Sequence, residues 1–500
     1  MQLAERRYRG LVLLLVGLLV TLASCRIGSP SVPAPSSSGP PPRPFTVMST
    51  DTVRVTDPAA ITDPASAVVS LNVFQRLMTA DPGESALKPD AARDCLFTSA
   101  TTYSCTLNEN LEFHNEHPLT SSDVKFSIQR ATRLNVPGSS ASLLSSLRRI
   151  ETPDPLTVRF LLSRPDTQFG WALASPAASI VDEDEYPEDD VRPPTESIIG
   201  SGPFAVAHHD ERSLLLTRHR AYVGRNPARM PALEYRSAPD SASIEDAMAN
   251  GKVEVVWRGL NEAAITRYSR QVEASADNVT ADGFTEHSYF GARVLQLGWN
   301  PASPFRGNKA LRQAIATALQ GDRTLDSIVP ENIPGHASSF PVGGTATPKI
   351  TWKTRIPLTL TYDTTAPDSL DMATQIRTRL ENSGGLSVQL RPDAPTADLW
   401  LLDRKAWTST GLAWLQPYIE APLPAVAGTI NTIVEEFRKT TDEERAASLL
   451  EALQKQAAVD NVLLPMSQSD EYLYARTGVT ISDRGFGPGW QLGLFGIRDG

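Results

Sequence analysis

Apolar and polar positions along this chain switch repeatedly between alternation and helical period, with turn residues marking the changes. Thr46 to Val55 alternates and predicts a strand entering a sheet. Val68 to Met78 repeats with helical period and predicts a helix. Leu111 to Thr120 predicts a short strand and turn. Ser121 or Ser122 then caps a helix from Val124 to Leu134, with Asp123 in its first turn. Leu156 to Leu162 predicts a strand, and acid-rich Asp182 to Asp190 a solvated loop. Further strands are expected at Leu214 to Thr217, Leu233 to Arg236 and Val253 to Trp257, with a helix from Ser243 to Asn250. The pattern restarts near Val294. Strands are predicted at Val294 to Trp299, Pro357 to Tyr362, Leu386 to Leu390, Leu399 to Leu402, Val462 to Pro465 and Glu471 to Ala475. Helices are predicted at Asn308 to Leu319, at Leu370 to Leu380, and once or twice within Thr429 to Val459. Strand and helix alternate in both halves, which predicts two α/β lobes without a short tandem repeat.

The N-terminus has a different rhythm. Arg6, Arg7 and Arg9 lead into an uncharged apolar run from Leu11 to Leu22. A spanning helix wants roughly 20 apolar residues, so this run reads as a secretory signal. It ends in Leu22-Ala23-Ser24-Cys25, which resembles the bacterial lipobox. Cleavage before Cys25 and lipid on its thiol are expected, giving a signal peptide at 1–24 and a membrane anchor. The alternative is an uncleaved anchor or a stray cysteine. Residues 25–44 are rich in Ser, Pro and Gly and read as a tether.

Composition narrows the picture. The chain has 500 residues and a formal charge of −10, or about −12 once the leader is removed. An acidic body does not invite nucleic acid. Two of the three cysteines, Cys95 and Cys105, flank what reads as two short strands around a Ser/Thr/Ala turn. A cross-strand disulfide is expected there, with Cα atoms within about 7 Å. Zinc is the alternative, although no second cysteine or histidine pair sits at ligand spacing. His114 and His117 form His-x-x-His, and His208-His209 lies on a polar loop. Ser201 lies in Gly-Ser-Gly-Pro without the Gly-x-Ser-x-Gly pattern of a nucleophile elbow. No metal, cofactor or catalysed reaction is expected.

Several segments carry a resemblance. Asp57-Pro58 precedes Asn72-Val73-Phe74. Phe113-His114-Asn115 is followed by Pro118-Leu119-Thr120 and Asp123-Val124. Gly200-Ser201-Gly202-Pro203-Phe204 and Gly251-Lys252-Val253-Glu254-Val255 come next. Asn300, Pro304-Phe305, Leu311-Arg312-Gln313-Ala314 and Asp322-Arg323 complete the series. In this order and spacing they resemble solute-binding family 5, the extracytoplasmic dipeptide- and oligopeptide-binding proteins of ABC importers. The resemblance implies a two-lobed α/β clamshell of the periplasmic-binding-protein kind. Lobe I would comprise 45–290 with 476–500, carrying an extra subdomain at about 63–175, and lobe II would be 291–475. It also implies a ligand in the cleft, a permease partner, a monomer, and a place on the outer face of the cytoplasmic membrane.

Family members hold a peptide backbone by strand-like hydrogen bonds. An aspartate shortly after a Gly-Trp pair anchors the α-amino group. In the matching region of this chain, anchoring on Trp407 puts Thr410 where the acid belongs. Counting from Asp398 puts Arg404 at the tryptophan and Trp407 at the acid. Neither register yields the acid, and Asp403 is the nearby substitute. The ligand-binding set expected on this basis is Thr62, Trp257, Arg258, Asp403, Arg404, Trp407, Thr408 and Thr410. Trp257, Trp400, Trp407 and Trp414 are read as cleft walls or core packing. Arg258 and Arg404 are read as carboxylate clamps or salt-bridge partners. The missing acid keeps a second function open, a transport-inactive scaffold or regulator in envelope assembly.

Overall fold

The computed structural model describes residues 43–81, 86–344, 354–482, 485–487 and 491–500. The expected signal peptide, Cys25 and nearly all of the expected tether lie outside them.

One ten-stranded sheet runs through the body. Its order is Leu386–Pro392, Ile356–Tyr362, Leu399–Arg404, Phe284–Trp299, Leu463–Arg476, Val255–Trp257, Thr46–Ser49, Ala232–Ser237, Ser213–Arg218 and Phe204–His209. The fourth and fifth strands are the long ones, at 16 and 14 residues, and they pair antiparallel along their length. Their register breaks between Tyr289 and Arg293. On one side of the break Leu473–Ala475 pairs with Val255–Trp257. On the other, Val294–Trp299 pairs with Leu399–Arg404. The two long strands therefore pass from one lobe into the other.

This corrects the expectation of separate strands at Val294 to Trp299, Val462 to Pro465 and Glu471 to Ala475. Polar Gln468-Ser469-Asp470 interrupts the apolar pattern, but the ladder resumes directly after the break, with Arg293 opposite Ser469 and Val294 opposite Gln468. Cross-strand hydrogen bonds need no apolar side chain, so the ladder continues where the hydrophobic signal stops.

In the first lobe all four residues of Thr46–Ser49 are buried, as suits a strand parallel to both neighbours and covered on both faces. The strand predicted through Val55 ends at Ser49. Helices Ser241–Ala249 and Glu262–Ala274 cover one face through Ile244, Met248, Ala264 and Tyr268. The other face packs Val47, Val255 and Trp257 against Val69, Leu71, Phe486 and Leu494. In the second lobe the core gathers residues from Val294 to Met466. It includes Ile315, Ile376, Leu415, Ile430 and Leu453, one from each of five helices.

The extra subdomain has its own core, from Leu77 to Ile180. Its four-stranded antiparallel sheet runs Ala92–Ser99, Thr102–Leu107, Thr157–Leu162, Leu147–Asp154. Cys95 and Cys105 stand directly opposite in the first hairpin, with Cα atoms 4.1 Å apart, and form the expected disulfide. The helix beneath spans Ser121–Leu134. Its N-cap is Thr120, one residue before the two serines expected there, because Thr120 and Asp123 form a reciprocal capping box. Asp182–Asp190 is not simply a solvated loop. Asp182 is 2% and Tyr186 4% exposed. Asp182 accepts hydrogen bonds from the side chains of Asn115 and His117, each at 2.8 Å.

Candidate functional site

The Gly200–Phe204 turn shows why the motif needs its glycines. A Cβ on Gly200 would lie 2.1 Å from the Val73 carbonyl oxygen, and one on Gly202 2.5 Å from the Val73 carbonyl carbon. His114 buttresses the turn, with Nε2 at 3.1 Å from the Gly202 oxygen and Nδ1 accepting from Gly200 N–H at 3.2 Å. His117 points elsewhere and falls with Asp182 and Asp184. The His-x-x-His pair therefore does not converge on one point.

Asp57 of the opening motif forms a buried pair with Arg130 at 2.5 Å and also accepts from Arg192 N–H. These motif residues hold the frame of the first lobe.

Between the lobes lies a cavity of about 600 Å³. Thr62, Gly138 and Ser142 line it from the first lobe. From the second come Trp299, Trp400, Asp403, Arg404, Trp407 and, further along, Arg306, Gln416, Tyr418 and Glu420. Alternation along Leu399–Arg404 explains part of this: Leu399 and Leu401 enter the core, while Trp400, Leu402 and Arg404 face the space.

Below the cavity six charges cluster where the lobes meet. Arg258 contacts Asp403 at 2.5 Å, Glu471 at 3.2 Å and Asp51 at 3.4 Å. Arg293 lies 3.5 Å from Asp403, and Lys405 lies 3.4 Å from Glu471 and also donates to the Ala292 carbonyl. Arg258 adopts φ +56, unusual for a non-glycine residue, which turns its side chain into this cluster. Burial alone would raise the Asp403 carboxyl, but Arg258, Arg293 and Lys405 hold it below the usual range. Asp51, with less compensation, is pushed up by burial. Burial also depresses the Lys405 ammonium, against the pull of Glu471.

Six buried polar atoms on cavity-lining residues lack partners among the described residues: Asp403 Oδ1, Arg404 Nε, Arg306 Nε, Trp299 Nε1, Trp400 Nε1 and Gln416 Oε1. At Asp403, Arg258 and Arg293 both take Oδ2 and leave Oδ1. Burial lowers the Arg404 guanidinium to about 10, with Glu420 opposing.

Of the eight expected ligand residues, the structure brings Thr62, Asp403, Arg404 and Trp407 to the cavity. Arg258 and Trp257 border a smaller adjoining space with Asp51 and Lys405. Trp257 is 4% exposed and stacks near Phe486 and Tyr289. Thr410 caps helix Gly411–Glu420, accepting from Ala413 N–H, and Thr408 Oγ1 lies 3.3 Å from its hydroxyl. Trp414 belongs to the core of the second lobe, while Trp400 and Trp407 are walls. Sequence reading missed Trp299, Arg306, Gln416, Tyr418 and Glu420. The last three follow from helix Gly411–Glu420, whose Gly411 and internal Pro417 hide its helical pattern.

Residues 86–425 match the profile of bacterial extracellular solute-binding proteins, family 5 (middle region). The chain belongs to this family.

Among curated relatives it is 24% identical over 284 residues to the probable ABC transporter periplasmic-binding protein SapA of Escherichia coli, covering 51% of this chain and 49% of SapA. It is 29% identical over 155 residues to the probable D,D-dipeptide-binding periplasmic protein DdpA of the same species, 30% of each chain. The chain spans about half the length of the SapA relative it matches. Among solved structures, AgaA of A. tumefaciens R10 in complex with agropinic acid aligns with TM-score 0.77, 19% identity, and 91% and 98% coverage. DppA of Helicobacter pylori, in complex with the peptide STSA, aligns with TM-score 0.76, 17% identity, and 91% and 97% coverage. These structures show the same two-lobed fold. Among the described residues no helix is long and apolar enough to cross a membrane.

Proposed function

We propose that this protein is the lipid-anchored receptor of an ABC importer. As a monomer on the outer face of the membrane, it captures a short peptide or similar zwitterionic solute between its lobes and hands it to the permease. The observation that carries this reading is an acceptor and a donor side by side among the unpartnered atoms of the cavity-lining residues, Asp403 Oδ1 and Arg404 Nε. A buried carboxylate oxygen calls for a donor and a buried guanidinium N–H for an acceptor. A free amino group and a carbonyl or carboxylate supply both. Asp403 then serves in place of the missing family acid, Thr62 and Trp407 form walls, and Trp257, Arg258, Thr408 and Thr410 act from behind. The ligands in the aligned structures, a peptide in DppA and agropinic acid in AgaA, agree with a small polar solute of this kind.

The division into lobe I, 45–290 with 476–500, and lobe II, 291–475, is supported at residue 290 by the register break of the long strands. Cys25 carries the anchor, on the strength of Leu22-Ala23-Ser24-Cys25. Mass spectrometry of protein from the membrane fraction tests both halves of the proposal. Cys25 is expected to be the lipidated N-terminus, and native spraying is expected to release a peptide-mass ladder that Asp403→Asn loses. Unmodified Cys25 overturns the anchor. Absence of any retained or extract-derived ligand overturns the receptor in favour of an envelope scaffold.

A further inference from the structure

Arg306 lines the same cavity beside Pro301, Tyr418 and Ala421. It is 8% exposed, yet no carboxylate lies within ion-pair distance among the described residues. Its Nη2 donates to the Ala421 carbonyl, and its Nε finds no acceptor. The nearest candidate partner is already committed: Asp460 takes Tyr418 OH at 2.6 Å on one oxygen and Gln456 at 3.1 Å on the other. Behind Arg306 stands a second cation, Arg312, which bonds the Asp460 and Arg306 carbonyls. Lys405 has Glu471 within ion-pair distance, whereas Arg306 feels Asp460, and Arg404 feels Glu420, only at longer range. A buried guanidinium without a counter-charge is costly, and a chain that keeps one beside a cavity has left its partner to be supplied from outside.

We propose that Arg306 is an anion-holding subsite, so that the solute carries a carboxylate seated on this guanidinium, distinct from the group held by the Asp403 anchor. The proposal rests on the cavity being the solute site, and it narrows the solute class to acidic or acid-terminated small molecules. An incoming carboxylate takes Nε–H and a neighbouring Nη hydrogen side by side, geometry that a lysine cannot reproduce. Nothing in the sequence pattern marks Arg306, which sits in Pro304-Phe305-Arg306, a stretch otherwise read as a lobe-start motif.

Thermal unfolding of the intact protein gives the test. Glutarate is expected to raise the midpoint by about 2–4 °C over its neutral diamide at matched ionic strength. Arg306→Gln is expected to abolish the difference, and Arg306→Lys to keep part of it. By calorimetry, Ala-Glu is expected to bind about tenfold more tightly than Ala-Gln to the native protein and equally to Arg306→Gln. The subsite is overturned if the native protein does not distinguish glutarate from its diamide, or if the difference survives in Arg306→Gln. If glutarate acts through Arg306 while no dipeptide binds, the amine-anchored reading falls and the acid subsite stands. If Ala-Gln and Ala-Glu bind alike, the subsite falls and the peptide reading stands.

Discussion

His114 shows how far a single residue can tie stability to pH. Its ring and that of His219 meet edge to face at 4.8 Å, and both reach the Gly202 carbonyl. Burial lowers the His114 imidazole from 6.5 to about 4, and the neighbouring His219 adds to the fall. His219 is lowered too, first by burial. Above pH 6.5 both the folded and unfolded chains hold neutral rings, so nothing is lost. Between 6.5 and 4 the unfolded chain takes up a proton that the folded one refuses, so stability falls as pH falls and levels off below 4. From pH 7.5 to 5 this one ring is expected to cost about 2 kcal/mol. Urea unfolding of the native protein and of His114→Gln at the two values checks it. The variant should be less stable at pH 7.5 but lose less on acidification. An equal acid loss in both would remove His114 as its source.

At the scale of elements, capping turns out to do more than end helices. Asp368 occupies the N-cap position of helix Ser369–Asn382 in the left-handed region, φ +61, yet gives that helix no side-chain bond. Its carboxylate instead accepts from Glu262 N–H at 2.9 Å, at the start of helix Glu262–Ala274 in the other lobe. An acid at that end satisfies an orphan N–H and suits the helix dipole. Asp368→Ala should cost about 1 kcal/mol, and Asp368→Asn less, because the amide oxygen still accepts. Amide exchange at Glu262 should speed up in Asp368→Ala, and unchanged protection there would show that the bond does not form in solution. Such a cap is invisible in sequence, since the two residues are 106 positions apart. Local caps were legible to within a residue: the helix expected from Asn308 starts there, with Asn308 as its cap, whereas Thr120 rather than Ser121 or Ser122 caps Ser121–Leu134. The motifs gave family and fold because they fix turns, as Gly200 and Gly202 do against Val73. Helix Glu262–Ala274 escaped because it buries only Ala264 and Tyr268, too few to set a period. The cavity was half legible. Asp403, Arg404 and Trp407 follow a strand that alternates, whereas Arg306 and Trp299 reach the space only through tertiary packing.

At the scale of the molecule, Asp368 has a counterpart elsewhere between second lobe and first. Arg438, at the end of helix Ala427–Lys439, is 5% exposed and lies 3.5 Å from Asp166 of the extra subdomain, itself 2% exposed. Thr167 N–H donates to the Arg438 carbonyl at 2.8 Å, and Arg164 pairs with Glu435 at 2.8 Å. These contacts join the second lobe to the subdomain, so they exist when the clamshell is shut and are lost when it opens. A solute that binds the shut form gains whatever the contacts contribute to closure. Removing Arg438 leaves Asp166 buried and unpaired in the shut form, while the open form can hydrate it. A pair of this kind costs about 3–5 kcal/mol when one member is removed from a buried site. Arg438→Ala should therefore weaken solute affinity by about tenfold or more and shift the free protein towards a larger radius of gyration in solution scattering, with a small change in the urea midpoint. Asp166→Ala combined with Arg438→Ala should recover part of the affinity, because the stranded carboxylate is gone. A double variant as weak as the single one would mean that the contact positions the helix rather than balancing charge. Unchanged affinity in Arg438→Ala would mean that closure is held by the other contacts between the lobes, such as the charge cluster around Arg258.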